Sequence, residues 1–336
     1  MKQMIVLLLM TFTLTCHAEE AKPLAERQTE FMSWKFGMFI HFNMSTFDDS
    51  EWANGYEDPA LFAPGKLDCG QWADAAKAAG MKYAVLTVKH TGGWCLWQSK
   101  VTTHGMQSFT NYKRGNGDIV QEFVEAFRAR GLKVGLYYCA PGNYDGPAVW
   151  QRPLPAGKPS LHGMPPEAQG DYPGFMKKQF TELLTNYGPI DLFWCDQYTV
   201  WISGADWLGL KDHIHSIQPN CLVIANNAHD LQYTDISSHE VPAGVGPPPD
   251  GNKIPSEISD SIFFGNVNGN WFWHKVLTKD NLRSADSIVA SYKGCDSKYA
   301  NYLLNVPPDA TGRLPDMCVE RLAEVGKLLA SPEAKP

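Results

Sequence analysis

Ile190-Asp191-Leu192-Phe193-Trp194-Cys195-Asp196-Gln197 is a short apolar run that ends on a carboxylate. Helix-like sequence precedes it, and polar, Gly-containing sequence follows. That is the pattern of a buried parallel strand whose last residue emerges into a loop. In an α/β barrel the carboxyl ends of the strands carry the chemistry, which makes Asp196 the first candidate for a reacting group. A strand-end Asp also commonly caps the turn or helix that follows. The stretch by itself supports both readings, and its surroundings have to separate them.

Working outward, residues 173–187 place Phe175, Phe180, Leu183 and Leu184 on one helical face. On the other side, 206–217 reads as a helix and Leu222-Val223-Ile224-Ala225 as the next strand. Upstream, strands are expected at 36–41, 83–88 and 133–138, separated by helices that Asp68 and Asp118 open and that Gly80 and Gly131 close. Downstream, a short strand is expected at 261–264, a helix at 279–293, a strand at 302–306 and a last helix from Pro315 to Leu329. Residues 140–170 and 241–255 read as Pro/Gly-rich loops. Repeated strand–helix alternation argues for a parallel sheet with crossover helices. Side chains that can do chemistry follow several different strands (His41, His90, Tyr138 and Asp196), and no Gly-rich phosphate loop follows the first strand. A (β/α)8-like barrel fits this better than a doubly wound sheet. A seventh strand is hard to place, so an irregular barrel is expected.

The chain has 336 residues, 44% apolar and 19% charged, which fits one large barrel domain with a substantial core. The formal charge of −7 and the lack of a basic stripe argue against a nucleic-acid partner. Met1-Lys2-Gln3, an apolar run from Met4 to Leu14 and then Cys16-His17-Ala18 make a secretory signal, expected to be cut after Ala18. This leaves 19–336 as a single catalytic domain that is secreted or periplasmic. Lipid anchoring through Cys16 is the weaker alternative, because Thr15 fits that site poorly. No segment is expected to span a membrane. Seven cysteines follow Cys16; they read as buried thiols, and the absence of any CxxC spacing speaks against structural zinc.

Glycoside hydrolysis with retention needs two carboxyl groups about 5–5.5 Å apart, one as nucleophile and one as acid/base. Asp196 suits the first role. Glu240 and Glu257, each read as lying on a later loop of the same rim, are the candidates for the second, although either alone suits a solvated loop position equally well. A metal site built on His41 and His90 would need a His-X-His pair or a third nearby ligand, and neither is evident; a metal-dependent hydrolase using these two with Asp196 is the minority reading, and no metal and no organic cofactor is expected.

The chain resembles the α-L-fucosidases of glycoside hydrolase family 29. The matching stretches run in order along nearly the whole chain: Trp34 to Phe42, Glu51-Trp52, Tyr83 to His90 with Gly93 to Lys100, Gly135 to Tyr138, Asp191 to Asp196, and Asn301 to Pro307 with Asp309 to Arg313. The resemblance implies hydrolysis of terminal α-L-fucosides of glycans through a glycosyl-Asp196 intermediate. It also implies sugar contacts from His41, Glu51, Trp52, His90, Tyr137 and Trp194. It favours Tyr137 where the strand-end reading favours Tyr138, and the Asp235…Glu240 spacing favours Glu240 over Glu257 as acid/base.

Two departures bear on specificity. The family usually carries His-His-Asp-Gly after the second strand, and this chain carries His90-Thr91-Gly92-Gly93. The family often carries Asn-Asp-Arg after the fifth strand, and this chain carries Asn226-Asn227-Ala228-His229. The altered His90-Thr91-Gly92-Gly93 motif makes an α-L-galactosidase-like enzyme and a non-catalytic carbohydrate-binding barrel the alternatives. The C-terminal β-sandwich that many family members carry is not expected after this barrel.

Overall fold

The computed structural model describes residues 20–140, 156–158, 170–200, 202–264 and 271–331. The signal segment expected at 1–18 and most of the loop at 140–170 lie outside the described residues. Eight strands run parallel: β1 (Phe36–Ile40), β2 (Tyr83–Lys89), β3 (Lys133–Cys139), β4 (Leu192–Asp196), β5 (Leu222–Ala225), β6 (Ser237–Glu240), β7 (Ser256–Ser261) and β8 (Ala300–Asn305). Their order is β5-β4-β3-β2-β1-β8-β7-β6, so β1 pairs with both β2 and β8 and the sheet curls into a nearly closed barrel.

The open seam lies between β5 and β6, and residues just before β6 bridge it. The Asp235 amide donates to the Val223 carbonyl at 2.7 Å, and the Asp235 carboxylate accepts from the Val223 amide at 2.8 Å. The Thr234 hydroxyl accepts from the Ala225 amide at 3.1 Å. Side chains thus supply part of the hydrogen bonding that a backbone ladder would otherwise supply.

The α-helices among the described residues are α1 (Leu24–Trp34), α2 (Met44–Asp48), α3 (Cys69–Ala78), α4 (Ile119–Arg128), α5 (Tyr172–Asn186), α6 (Gly204–Ile217), α7 (Ala285–Gly294) and α8 (Asp316–Ala330). Asp68, Asp118, Asp171 and Ser203 cap α3, α4, α5 and α6 with their side chains. Helix α1 closes the amino-terminal mouth of the barrel. Its Phe31, Met32 and Trp34 pack with the inward-facing Phe39, Tyr83, Val85, Leu192, Trp194 and Leu303. A second apolar layer lies between strands and outer helices. All seven cysteines among the described residues are free and buried. No helix among those residues is long and apolar enough to cross a membrane.

Three sequence expectations change. Strands β6 and β7 were expected as loop, and Ser261, expected to open a strand, closes one. Ser237-Ser238-His239-Glu240 and Ser256-Glu257-Ile258-Ser259-Asp260-Ser261 lack the apolar run of a buried strand because this sector of the barrel wall is polar, yet its residues are buried almost throughout. The helix expected at 279–293 breaks into a 3₁₀ turn at Lys279–Asn281 and α7, because Thr278 and Ser284 each cap a separate start. Pro315 precedes α8 as its N-cap and is not part of its first turn.

Candidate active site

Strands β4 and β6 end on Asp196 and Glu240, and Asn226 directly follows β5 at the same rim. Asp196, the last residue of β4, keeps part of its surface open. Its Oδ2 accepts from the Tyr137 hydroxyl at 2.8 Å, and its Oδ1 accepts from Asn226 Nδ2 at 2.9 Å and from the Gln197 amide at 2.8 Å. The turn that brings this amide round puts Gln197 at φ 52°. Burial raises the Asp196 pKa, and the donors from Asn226, Tyr137 and Gln197 oppose that rise by favouring the ionised form.

Glu240 ends β6. Its Oε2 accepts from Asn226 Nδ2 at 2.8 Å and from Asn227 Nδ2 at 3.2 Å, while its own amide donates to Asn227 Oδ1 at 3.0 Å. Burial first, and then the charge of Asp196, push the Glu240 pKa up to about 7, against the two asparagine donors. The single amide nitrogen of Asn226 therefore donates to both carboxyl groups. That bridge holds the two oxygens less than about 6 Å apart, in the range that suits a nucleophile and an acid/base working on one glycosidic bond. A carboxylate beside a carboxyl that keeps its proton near neutrality can perform nucleophilic attack and proton donation at the same centre.

Beside the pair stand two imidazoles. His41 Nδ1 lies 2.8 Å from Asn305 Oδ1, and Asn305 Nδ2 donates to the Trp271 carbonyl at 2.8 Å. The second bond fixes the Asn305 amide, so His41 carries its proton on Nδ1 and presents Nε2 as an acceptor. His90 Nδ1 lies 3.2 Å from the Thr91 hydroxyl. Burial pushes the His41 pKa down to about 3 and takes His90 well below its ordinary value, so both rings stay neutral near pH 7. Trp271 lies over His41 with ring centres 5.0 Å apart, and Phe272 meets His90 edge-on at 4.8 Å.

Tyr137, Trp194 and His90 form one stack: Tyr137 lies 5.2 Å from Trp194 and 5.5 Å from His90, with near-parallel planes. Tyr138 points the other way. It donates to Gln179 at 2.6 Å and accepts from the buried Lys89 at 3.1 Å. The strand-end expectation for Tyr138 is thus corrected, because strand alternation sends neighbouring residues to opposite faces. Glu51 is buried, and its oxygens accept from the Trp271 amide at 2.9 Å, the Phe272 amide at 3.3 Å and His274 Nε2 at 2.9 Å. It anchors the aromatic loop, is as buried as Tyr137 and Trp194, and lies close enough to Glu240 for its charge to help raise that pKa. Trp52 beside it is partly exposed.

Glu257 lies in β7 and not on a rim loop. It is fully buried, accepting from the Tyr83 hydroxyl at 2.7 Å and from Trp194 Nε1 at 2.9 Å. After Thr91, Gly92 and Gly93 both turn at positive φ, and a side chain on Gly92 would run into Ala53. The aspartate that the family resemblance led one to look for at this point has no room in the present loop. Among the described residues no three His, Cys, Asp or Glu side chains gather as metal ligands.

Sequence reasoning missed Asn226, Asn227, Asn305, Trp271 and Phe272. Asn226 did carry a signal, since it follows β5 directly, as Asp196 ends β4. Trp271 and Phe272 sit between elements, where no periodicity marks them.

The family model described as Alpha-L-fucosidase matches residues 11–332. Alpha-L-fucosidase 1 of Arabidopsis thaliana is 28% identical over 331 residues, covering 88% of this chain and 59% of that protein. The structure of alpha-L-fucosidase isoenzyme 1 from Paenibacillus thiaminolyticus matches with a TM-score of 0.72 and 31% identity, over 92% of this chain and 76% of that one. A putative alpha-L-fucosidase structure from Bacteroides thetaiotaomicron matches with a TM-score of 0.75 and 26% identity, over 90% of this chain and 66% of that one. The chain spans little more than half the length of the curated relatives it matches. With the barrel, its rim and this match over nearly the whole length, the chain belongs to the alpha-L-fucosidase family, glycoside hydrolase family 29.

Proposed function

We propose that this barrel hydrolyses terminal α-L-fucosides of glycans with retention of anomeric configuration. Family membership supports the substrate class, and the observation that carries the chemistry is the Asn226 amide joined to both Asp196 and Glu240. In the first half-reaction an Asp196 carboxylate oxygen attacks the anomeric carbon. Glu240 gives its proton to the glycosidic oxygen, and the aglycone leaves as an alcohol. In the second, the Glu240 carboxylate takes a proton from water as that water attacks the same carbon. Asp196 is released as a carboxylate and Glu240 is again protonated. The neutral His41 and His90 offer acceptors to sugar hydroxyls, and neither is needed to move a proton.

The reading is tested by incubating the purified protein with an aryl α-L-fucoside and following the first-formed sugar by NMR. Release of α-L-fucose before mutarotation supports it. Release of β-L-fucose, or no release from aryl or oligosaccharide α-L-fucosides at any pH, overturns it. Secretion belongs to the same proposal, with cleavage after Ala18. It is read by sequencing the amino terminus of the exported protein, where a start at Glu19 is expected.

A further inference from the structure

We propose that Glu257 is a positioning residue for the nucleophile, acting through the indole of Trp194 and the ring of Tyr137. The inference rests on Asp196 being the nucleophile. Glu257 itself sits below the rim, and its two oxygens are taken by neutral donors, Tyr83 Oη at 2.7 Å and Trp194 Nε1 at 2.9 Å. It has no open path to a glycosidic oxygen.

What Glu257 does touch leads directly to Asp196. The Trp194 indole lies against the Tyr137 ring, 5.2 Å between centres and 24° between planes. The Tyr137 hydroxyl donates to Asp196 Oδ2 at 2.8 Å. A turn of the indole would therefore move the ring that aims this hydroxyl. The indole is buried, with Phe39 edge-on at 5.2 Å and Tyr137 on its face, so its N–H has to find an acceptor inside the barrel. Glu257 is that acceptor, and the bond fixes the orientation of the ring, since an indole N–H buried without an acceptor is costly. The other end of the carboxylate is fixed to the barrel floor. Tyr83 is wedged between Phe31 and Trp34 of α1, and its ring covers Gly37 so closely that a Cβ there would overlap it. Glu257 thus ties the closed floor of the barrel to the nucleophile at its open rim.

The test is steady-state kinetics on an aryl α-L-fucoside for wild type, E257Q, E257L, W194F and the double variant W194F/E257L, with thermal unfolding of each. In E257Q the amide oxygen accepts from Trp194 while its nitrogen donates to Tyr83, so kcat stays within about fivefold of wild type. In E257L kcat falls by roughly 100-fold with KM little changed, the pattern of a nucleophile held out of line. W194F loses about tenfold, and W194F/E257L loses no more than E257L alone, because both substitutions break one path. If E257L does not fold, W194F and E257Q decide: loss in the first with retention in the second supports the proposal, and the reverse overturns it. It is also overturned if E257Q is as impaired as E257L, if the losses add, or if azide restores turnover of E257L with formation of α-fucosyl azide, which would make Glu257 the acid/base. A wild type silent on α-L-fucosides removes the fucosidase reading and this inference with it, a result distinct from all the others.

Discussion

At the scale of single residues, the site depends on one amide serving two acids. Asn226 donates to both Asp196 and Glu240, so Asn226→Ala should loosen both carboxyls and lower kcat by roughly 100-fold on any α-fucoside. In the proposed mechanism Glu240 donates the proton, so Glu240→Gln should lower kcat by roughly 10²- to 10⁴-fold for substrates with poor leaving groups and much less for activated aryl fucosides. The comparison of the two substrate types under steady-state conditions checks this. The pH dependence has a definite sign. Burial and the Asp196 charge hold the Glu240 proton up to about 7, and the protonated form is the acid, so kcat/KM falls as pH rises past that value. At low pH it falls again as Asp196, whose pKa burial has raised, takes up a proton. The two limbs belong to the pair and not to either residue alone. Asn227→Asp would set a second carboxylate where Glu240 now meets a neutral donor at 3.2 Å, and the alkaline limb should move up by about one pH unit. A limb that stays in place or moves down would contradict the role given to Glu240. Asp196 was legible in sequence because it ends an apolar run. Asn226 was harder to see, because an amide that matters only through what it bridges has no pattern of its own.

At the scale of elements, the seam between β5 and β6 is where the barrel is least regular. Asp235 closes it, accepting from the Val223 amide at 2.8 Å, from His215 at 2.9 Å and from Lys211 at 2.9 Å. Burial works against its charge, but His215, Lys211 and the Val223 amide together hold its pKa below the ordinary value. A carboxyl whose pKa is lowered on folding adds stability at pH values above its unfolded pKa, about 3.9, and that stability is lost as pH falls through the folded value. Asp235→Asn should therefore cost roughly 3 kcal/mol near pH 7, with the difference from wild type shrinking in acid. Urea unfolding at pH 7 and pH 3 reads both. Strands β1 to β5 were readable because each is a buried apolar run, as strands covered on both faces usually are. Strands β6 and β7 were not, because apart from Ile258 their buried positions are serines, a histidine and Glu257, with the partly buried Glu240 at the rim. The hydrophobic pattern reports burial only where burial is apolar. Both candidate acid/base residues lie on those two strands.

At the scale of the whole molecule, the barrel separates its two ends. The amino-terminal mouth is sealed by α1, and the carboxyl-terminal rim carries the acids, as barrels of this kind divide stability from chemistry. Met32→Ala, which empties a buried side chain from the seal without touching the Tyr83 ring stack, should cost about 2–5 kcal/mol in urea unfolding yet leave kcat at 25 °C within about twofold. A loss of activity as large as that of the rim variants would mean that the two ends are coupled more strongly than through Tyr83 and Glu257. The alternation of strand and helix made this architecture readable from the sequence, and the run of family-like segments placed it. The strand-end reading chose Tyr138 and the family resemblance Tyr137, and the strand register sends Tyr137 to Asp196 and Tyr138 to Gln179. The central claim is that the bond to the sugar forms on Asp196. It is tested most directly by the Asp196→Gly variant assayed on an aryl α-L-fucoside with and without azide. The account predicts turnover reduced by at least about 1,000-fold without azide and partly restored with it, the product being β-L-fucosyl azide, since azide enters through the space the carboxylate left. Near-normal turnover without azide, or rescue that gives the α-azide, would contradict it.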